Sequence, residues 1–288
     1  MDAKQLKWAY LFVLSLIWGS SFILIKRGLV GLTAIQVGSF RIIFAALFLL
    51  IFGFNSLKKI SRRQWKFVAI TSIFGTFTPA YLFAIAETEV DSSIVAILNS
   101  LTPLNTLVLG IIAFGIQFQK RQVLGVFVGL VGCMLLVLSG ASAHPGQNYY
   151  YVVLVVIATL CYAINVNLIK KYLSDLNSVS ITTGNFTVLL IPALIILSTT
   201  DISQRISLDV TQHSIFFVMI LGVLGTGIAN VVFFKLIQMS SPVFATSVTY
   251  LIPIVAFFWG LLDNEMLTPI QFFGAFIILI GVYLSAKK

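Results

Sequence analysis

The stretch LTPLNTLVLG, residues 101–110, places a proline, an asparagine and two threonines inside a long apolar run. The stretch TYLIPIVAFFWG, residues 249–260, repeats this pattern, and Pro253 follows Pro103 by 150 positions. A proline inside a helix removes one backbone donor and leaves a carbonyl without its helical partner. In a lipid-embedded helix, that carbonyl needs another donor or a water-filled cavity. We therefore interpret the two stretches as the two halves of one central site.

The composition around these stretches is that of a membrane protein. The chain has 288 residues, of which 59% are hydrophobic and 9% charged, and its mean hydropathy is +1.05. Soluble domains carry far more charge, and apolar runs of about 20 residues span the hydrocarbon core of a bilayer. We predict an all-α membrane protein with ten transmembrane helices, at residues 8–26, 33–54, 65–87, 92–115, 121–140, 150–170, 178–198, 213–237, 242–262 and 268–286.

The basic residues between the predicted helices indicate the orientation. With the N-terminus inside, the outer segments hold only Lys26, Arg27 and Arg205, and Arg41 lies within a helix. The inner segments hold the other fourteen basic residues: Lys4, Lys7, Lys58, Lys59, Arg62, Arg63, Lys66, Lys120, Arg121, Lys170, Lys171, Lys235, Lys287 and Lys288. Because cytoplasmic loops carry the excess of Lys and Arg, both termini are predicted to be cytoplasmic. The same bias explains the net charge of +9 without nucleic acid as a partner.

The proline pattern belongs to a longer repeat. Gly75-Thr76 matches Gly225-Thr226 at an offset of 150, and the IKR that ends at Arg27 matches the IKK that ends at Lys171 at an offset of 144. Predicted helices 1–5 therefore recur as helices 6–10, with residues 1–143 and 144–288 as the two repeats. Because five is odd, the second repeat enters the membrane from the opposite side. Such an inverted repeat suits alternating access.

The chain resembles the EamA-type members of the drug/metabolite transporter superfamily. The resemblance rests on LIWGSSFILIK in helix 1, Arg41 in helix 2, the prolines of helices 4 and 9, and the closing segment DNEMLTPIQFFGAFIILIGVYL. It implies a basket of ten helices and a transporter of small metabolites, often an exporter. Two positions depart from the family pattern. FGIQFQKRQ has no counterpart of Glu265, and Asn185 stands where a second arginine matching Arg41 is expected.

Polar and aromatic residues at helical spacing are candidates for the wall of a substrate cavity. The candidate substrate-binding residues are Trp18, Ser21, Thr76, Tyr81, Asn99, Thr106, Tyr162, Asn165, Asn230 and Tyr250. The candidate gating or hinge residues are Pro79, Pro103 and Pro253. For the small hydroxyl residues, close helix–helix packing is the alternative interpretation.

Two charged residues in or beside the predicted helices need an explanation. Placing Arg41 at the centre of a membrane helix costs about 2.5–3.5 kcal/mol, so the guanidinium is expected to face a partner or water. Arg41 either pairs with helix-end carbonyls or a carboxylate such as Glu87, or binds an anionic group of the substrate. Glu87, at the end of the polar face of helix 3, is either a coupling group or part of a solvated acidic loop.

These features predict a secondary carrier in a bacterial inner membrane, for a small neutral or zwitterionic solute such as an amino acid, with export as the expected direction. An intramembrane lipid-modifying enzyme and a non-transporting membrane sensor are the alternatives. The sequence contains no G-x-x-x-x-G-K-[ST] and no H-E-x-x-H, so we expect neither a cofactor nor a metal. The glycines of helices 5 and 10 serve packing within one chain or the interface of a homodimer.

Overall fold

The computed structural model describes residues 3–90, 92–141, 149–262 and 269–286. Within these ranges every regular element is helical. The α-helices of the first half are α1 (Ala3–Gly19), α2 (Ser21–Leu29), α3 (Ala34–Gly53), α4 (Arg62–Ser72), α5 (Thr78–Ala86), α6 (Ser92–Asn99), α7 (Thr102–Ile112) and α8 (Lys120–Ala141). Those of the second half are α9 (Val152–Tyr172), α10 (Ser178–Ser198), α11 (Ile202–Arg205), α12 (Asp209–Ile220), α13 (Ala229–Met239), α14 (Pro242–Thr246), α15 (Val248–Leu262) and α16 (Pro269–Ala286).

Several of these helices join end to end into segments that are long enough to cross a bilayer. Six segments of the described chain are both long and apolar enough: Gln5–Leu29, Ala34–Lys59, Arg62–Ala86, Val152–Tyr172, Ser178–Ser198 and Asp209–Met239. The prediction of an all-helical membrane protein is thereby confirmed. Three shorter apolar helices lie at Thr102–Ile112, Pro242–Val255 and Phe276–Ser285.

Two of the long segments contain a π-helical stretch that the sequence analysis did not predict. One stretch, Ile73–Phe77, joins α4 to α5, and the other, Leu221–Ile228, joins α12 to α13. Each contains one copy of the duplicated Gly-Thr pair. A π-helical turn is wider than an α-helical turn and occurs often at functional sites. The two stretches therefore mark equivalent points in the two halves of the chain.

The helix pairs that carry the duplicated prolines are also interrupted. α6 ends at Asn99 and α7 begins at Thr102, so Pro103 lies in the first turn of α7, where its missing N–H is not needed. The carbonyl of Asn99, four residues before this proline, accepts a 2.7 Å hydrogen bond from the Thr102 hydroxyl. In the second copy, the break between α14 and α15 falls at Ser247, and Pro253 lies inside α15.

The core clusters define the two ends of the bundle. At the end where α1 begins, here called the N-terminal face, Leu11, Leu173, Ile237 and Phe244 belong to one apolar cluster. At the other end, called the opposite face, a second cluster joins residues of α2, α5, α6, α9 and α15.

The glycines of α8 and α16 bring these two helices together within one chain. A Cβ atom on Gly125 would lie 2.7 Å from the carbonyl oxygen of Gly281, and one on Gly132 would lie 2.9 Å from that of Gly274. Contacts this short leave no room for a larger residue, which explains why glycine occupies these positions. The structure thus shows packing of these glycines within one chain, and an interface between two copies stays a prediction.

Candidate functional site

A narrow cavity of about 80 Å³ lies between the two halves of the bundle, with room for roughly five to eight water molecules. Seven of the ten candidate substrate-binding residues line it: Trp18, Ser21, Thr76, Asn99, Tyr162, Asn165 and Asn230. They come from α1, α2, α6, α9, α13 and the first π-helical stretch. The structure therefore brings together residues that are more than 200 positions apart. Their role in binding stays a prediction.

Trp18 is held at the wall of the cavity by contacts to the second half of the chain. Its indole Nε1 donates a 2.9 Å hydrogen bond to the carbonyl oxygen of Gly225, in the π-helical stretch Leu221–Ile228. Its ring meets the Phe233 ring edge-on, with centroids 4.9 Å apart. An indole whose N–H is bonded and whose ring is packed presents a fixed surface to the cavity.

Arg41 supplies a positive charge to the cavity wall. Its Nε donates a 2.6 Å hydrogen bond to the Thr226 hydroxyl, which in turn donates to the carbonyl oxygen of Leu221 at 3.1 Å. Among the residues that the structure describes, Arg41 forms no direct ion pair, and its pairing with Glu87 stays a prediction. Glu87 caps the C-terminus of α5 and does not line the cavity. A coupling role for Glu87 stays a prediction.

Two oxygen atoms in the cavity wall are buried without a hydrogen-bond partner in the described part of the chain. They are Oγ1 of Thr76 and Oδ1 of Asn165. The asparagine side chain packs so closely against Gly75 that a Cβ atom there would lie 2.5 Å from its amide nitrogen. Buried polar atoms are normally paired, so two unpaired oxygens in one cavity are acceptors available to a ligand.

Asn185, which stands where the repeat predicts a counterpart of Arg41, lies away from the cavity. Its fully buried side chain is 3.1 Å from the Thr71 hydroxyl. With its amide oriented so that the nitrogen faces the neighbouring acceptors, it donates to the carbonyl oxygens of Val68 and Ile181. Among the described residues, Arg41 is the one cationic residue that lines the cavity, and the residue at the equivalent position, Asn185, is uncharged.

Three candidate substrate-binding residues lie outside the cavity wall, which corrects the expectation that they line it. The Tyr81 hydroxyl is 3.0 Å from the Ser39 hydroxyl, between α5 and α3. Thr106 is buried in α7, and its carbonyl oxygen accepts a 3.0 Å hydrogen bond from Asn167. Tyr250 is fully buried and donates a 2.9 Å hydrogen bond to the carbonyl oxygen of Val126 in α8. Tyr81 and Tyr250 thus join helices through their side-chain hydroxyls, and Thr106 does so through its backbone carbonyl.

The break between α14 and α15 explains why Tyr250 faces α8. Because the helix restarts at Val248, the residues of α15 that face the cavity are Thr249 and Ile252.

The three candidate hinge prolines lie beside the cavity. Pro79 precedes Ala80, Pro103 follows Thr102 and Pro253 follows Ile252, and each of these neighbours lines the wall. The hinge role itself stays a prediction.

The repeat contained a signal for three of the remaining lining residues, because Ala80, Thr226 and Thr249 are the counterparts of predicted lining residues. Trp18 and Tyr162, and Ser21 and Asn165, are pairs at the offset of 144. Five further pairs follow the offset of 150: Thr76 and Thr226, Ala80 and Asn230, Phe83 and Phe233, Asn99 and Thr249, and Thr102 and Ile252. Applying the offset to Asn99 would have identified Thr249 in place of Tyr250. Four lining residues have counterparts at these offsets that do not line the cavity: Phe22, Ile25, Arg41 and Gly75.

Apolar helices long enough to span a membrane enclose a cavity with several polar groups in its wall, an arrangement that helical transport proteins have. The profile of the EamA-like transporter family matches residues 6–138 and 149–287, and the chain belongs to that family. The resemblance read from the sequence is therefore confirmed. The two matched stretches lie on either side of the predicted boundary between residues 143 and 144.

Several relatives of this chain are named as transporters or as an efflux pump. An uncharacterised transporter of Archaeoglobus fulgidus is 25% identical over 98% of this chain and 99% of its own length. The uncharacterised inner membrane transporter YedA of Escherichia coli is 25% identical over 96% of this chain and 92% of its own. A probable amino-acid metabolite efflux pump of Escherichia coli is 24% identical over 93% and 91%.

The fold is similar to that of a solved protein. A crystal structure with 12% sequence identity matches 96% of this chain and 94% of its own with a TM-score of 0.74. The similarity covers the arrangement of nearly all helices.

Proposed function

We propose that this protein is a secondary carrier that moves a small zwitterionic or neutral metabolite across the membrane by alternating access. The observation that carries the proposal is a cavity between the two halves, with one guanidinium, several amides and two unpaired acceptor oxygens in its wall. Such a site binds a small polar solute and holds it in a fixed orientation. Its family membership supports transport over the lipid-modifying enzyme and the sensor.

The proposed architecture is ten transmembrane helices in two inverted repeats, residues 1–143 and 144–288. The six long apolar segments supply six crossings, and α6–α7, α8, α14–α15 and α16 supply the other four. The seven pairs of lining residues at constant offsets support the repeat, because equivalent residues meet around one cavity. In inverted-repeat carriers, the substrate site lies between the repeats near the bilayer midplane.

The chemistry of the wall favours an amino acid. The Nε atom of Arg41 is bonded to Thr226, which leaves the two terminal nitrogens of the guanidinium to bind a carboxylate in a bidentate fashion. The unpaired oxygens of Thr76 and Asn165 are suitable acceptors for an ammonium group. The name of the efflux-pump relative supports both this substrate class and the direction of export.

The proposed location is the inner membrane, with the N-terminal face in the cytoplasm. The YedA relative is named for that membrane, and the basic residues of the predicted inner segments follow the positive-inside rule.

The test is counterflow in proteoliposomes, in which vesicles loaded with one unlabelled amino acid take up the labelled form. We expect uptake by the wild-type protein and a loss of roughly tenfold or more in Arg41→Met, because a charge-assisted hydrogen bond contributes about 1.5–3 kcal/mol. The amino-acid methyl ester, which lacks the carboxylate, should not compete with the substrate. Equal uptake by wild type and Arg41→Met, or full competition by the ester, would contradict the role of Arg41. Absence of flux for every amino acid and nucleoside tested would contradict the carrier itself.

A further inference from the structure

Lys170 closes the N-terminal face of the cavity by joining two helix ends. It lies in the last turn of α9, and its Nζ donates to three carbonyl oxygens at the C-terminus of α13. The distances are 3.1 Å to Ile237, 3.3 Å to Gln238 and 2.7 Å to Ser240. These carbonyls have no helical donor of their own and form the negative end of the helix dipole. The ammonium therefore fixes the end of α9 to the end of α13.

The residues between this contact and the cavity are tightly packed. Val166 and Ile169 of α9 and Ile237 of α13 are fully buried members of one apolar cluster. They separate Asn165 and Phe233, which line the cavity, from the Lys170 contact. The cavity is thus closed toward the N-terminal face by an apolar layer, with the lysine contact at the edge of that layer.

The equivalent positions on the opposite face are also buried, but there they line the cavity. Phe22 and Ile25, the counterparts of Val166 and Ile169 at the offset of 144, line the cavity. Phe22 is in edge contact with Phe83, with ring centroids 6.3 Å apart. Lys26, in the last turn of α2, lies one helical turn beyond Phe22. Glu87, at the end of α5, lies one helical turn beyond Phe83.

The offsets assign each member of the lysine contact a counterpart on the opposite face. Lys170 corresponds to Lys26 at 144, and Ile237, Gln238 and Ser240 correspond to Glu87, Thr88 and Val90 at 150. In both halves the acceptors lie just where a helix ends, α13 at Met239 and α5 at Ala86. Within the described ranges, Lys26 is exposed and has no hydrogen bond or ion pair. Lys170 is therefore hydrogen-bonded and Lys26 is exposed, although the two lysines occupy equivalent positions in the repeat.

We propose that Lys170 and Lys26 are alternating latches of the transport cycle. Lys170 holds the N-terminal face closed in the structure described here. When that face opens, Lys26 binds the carbonyl oxygens of Glu87, Thr88 and Val90 and holds the opposite face closed. The inference rests on the proposed alternating access, and it identifies two lysines outside the cavity as residues that set the balance between the two states. A ligand or contact that favours one state shifts the balance by its differential free energy.

The effects of the two lysines can be measured separately by cysteine labelling at equivalent positions on the two faces. In a Cys133→Ala, Cys161→Ala background, one reporter is Ile25→Cys and the other is Ile169→Cys, its counterpart. A membrane-impermeant thiol reagent is added to one face of the reconstituted protein at a time. We expect Lys170→Met to raise labelling of the reporter at 169 from the N-terminal face severalfold and to lower that at 25 from the opposite face. Lys26→Met should produce the reverse pattern.

Matched variants distinguish a latch from a general loss of stability. Arg27→Met removes a neighbouring exposed cation and should leave both reporters unchanged. Lys26→Arg and Lys170→Arg keep a cationic donor and should retain most of the wild-type labelling pattern. Detergent melting of each variant shows whether the fold is intact.

The outcomes separate the latch from the carrier function, because labelling needs no substrate. Opposite shifts in the two Met variants support the latches even if no transported solute is found, in which case only the proposed function fails. Unchanged labelling in Lys26→Met, or shifts in the same direction for both Met variants, overturns the latch proposal. That conclusion holds also when wild-type transport is intact.

Discussion

The hydroxyl of Ser100 donates a 3.1 Å hydrogen bond to the carbonyl oxygen of Thr249. Pro253, four residues after Thr249, has no N–H, so this carbonyl has lost its helical donor. The serine side chain is fully buried and lies between α6 and α7, where the first copy of the proline pattern is interrupted. Ser100, beside the first proline-containing stretch, thus supplies the donor that Pro253 lacks in the second stretch. The polar residues around the prolines replace the backbone hydrogen bonds that the prolines remove.

Ser100→Ala should destabilise the protein by about 1–3 kcal/mol, because it leaves a buried carbonyl without a partner. The measurement is thermal unfolding in detergent. Ser198→Ala is a matched control, since that exposed hydroxyl bonds only to the carbonyl oxygen of Ile195 in its own helix. Pro253→Ala restores the backbone donor, so the double variant Ser100→Ala, Pro253→Ala should recover part of the loss. An unchanged melting temperature in Ser100→Ala would show that the bond contributes nothing.

Asn99→Ala and Asn230→Ala should each reduce transport and leave the melting temperature nearly unchanged. Both side chains line the cavity, so removing an amide takes away a substrate contact at little cost to packing. The rate of counterflow and the melting temperature are measured on the same samples. A parallel loss of expression and melting temperature would instead favour a packing role for the two asparagines.

Tyr250→Phe should lower the melting temperature and leave substrate binding unchanged, which is the reverse of the result expected for the two asparagine variants. The Tyr250 hydroxyl bonds the carbonyl oxygen of Val126, so the variant should lose about 0.5–1.5 kcal/mol of stability while the apparent affinity for substrate stays the same. Counterflow at several substrate concentrations separates the two quantities. A large change in apparent affinity with unchanged stability would place Tyr250 at the substrate after all.

Gly75→Ala should reduce transport sharply, because the added methyl group would lie 2.5 Å from the amide of Asn165 and displace it from the cavity wall. Gly227→Ala is the matched control. It lies in the other π-helical stretch, and its added methyl group would meet its neighbours only at 3.5 Å or more. Counterflow is measured for both. Equal transport by the two variants would mean that the position of the Asn165 amide does not matter.

Single cysteines at Asn55 and Ser203 should differ in their reaction with an impermeant thiol reagent, in a background without native cysteines. Both positions are exposed, and they lie at opposite ends of the bundle, after α3 and in α11. With the N-terminal face in the cytoplasm, intact cells should be labelled at position 203 and not at position 55. The opposite pattern would reverse the proposed orientation.

The sequence by itself determined the class of protein, because hydropathy summed along a helix decides whether the helix partitions into a bilayer. It predicted α10 at residues 178–198, where the structure has Ser178–Ser198. It also predicted the repeat, since offsets between matching residues are a property of the chain alone. The helical spacing of polar and aromatic residues located seven lining residues, and the offset of 150 applied to Asn99 would have added Thr249.

Only the tertiary structure decided which side chains face the cavity after each helix interruption. The restart of α15 after Ser247 places Thr249 at the cavity and Tyr250 against α8. Likewise, the structure pairs Arg41 with Thr226, 185 positions away, and bonds Lys170 while Lys26 stays exposed. Periodicity predicts a face only while the helix is regular. Where the helix breaks, contacts with helices distant in the sequence set the direction of the side chains that follow. The sequence of one helix does not contain the information about those contacts.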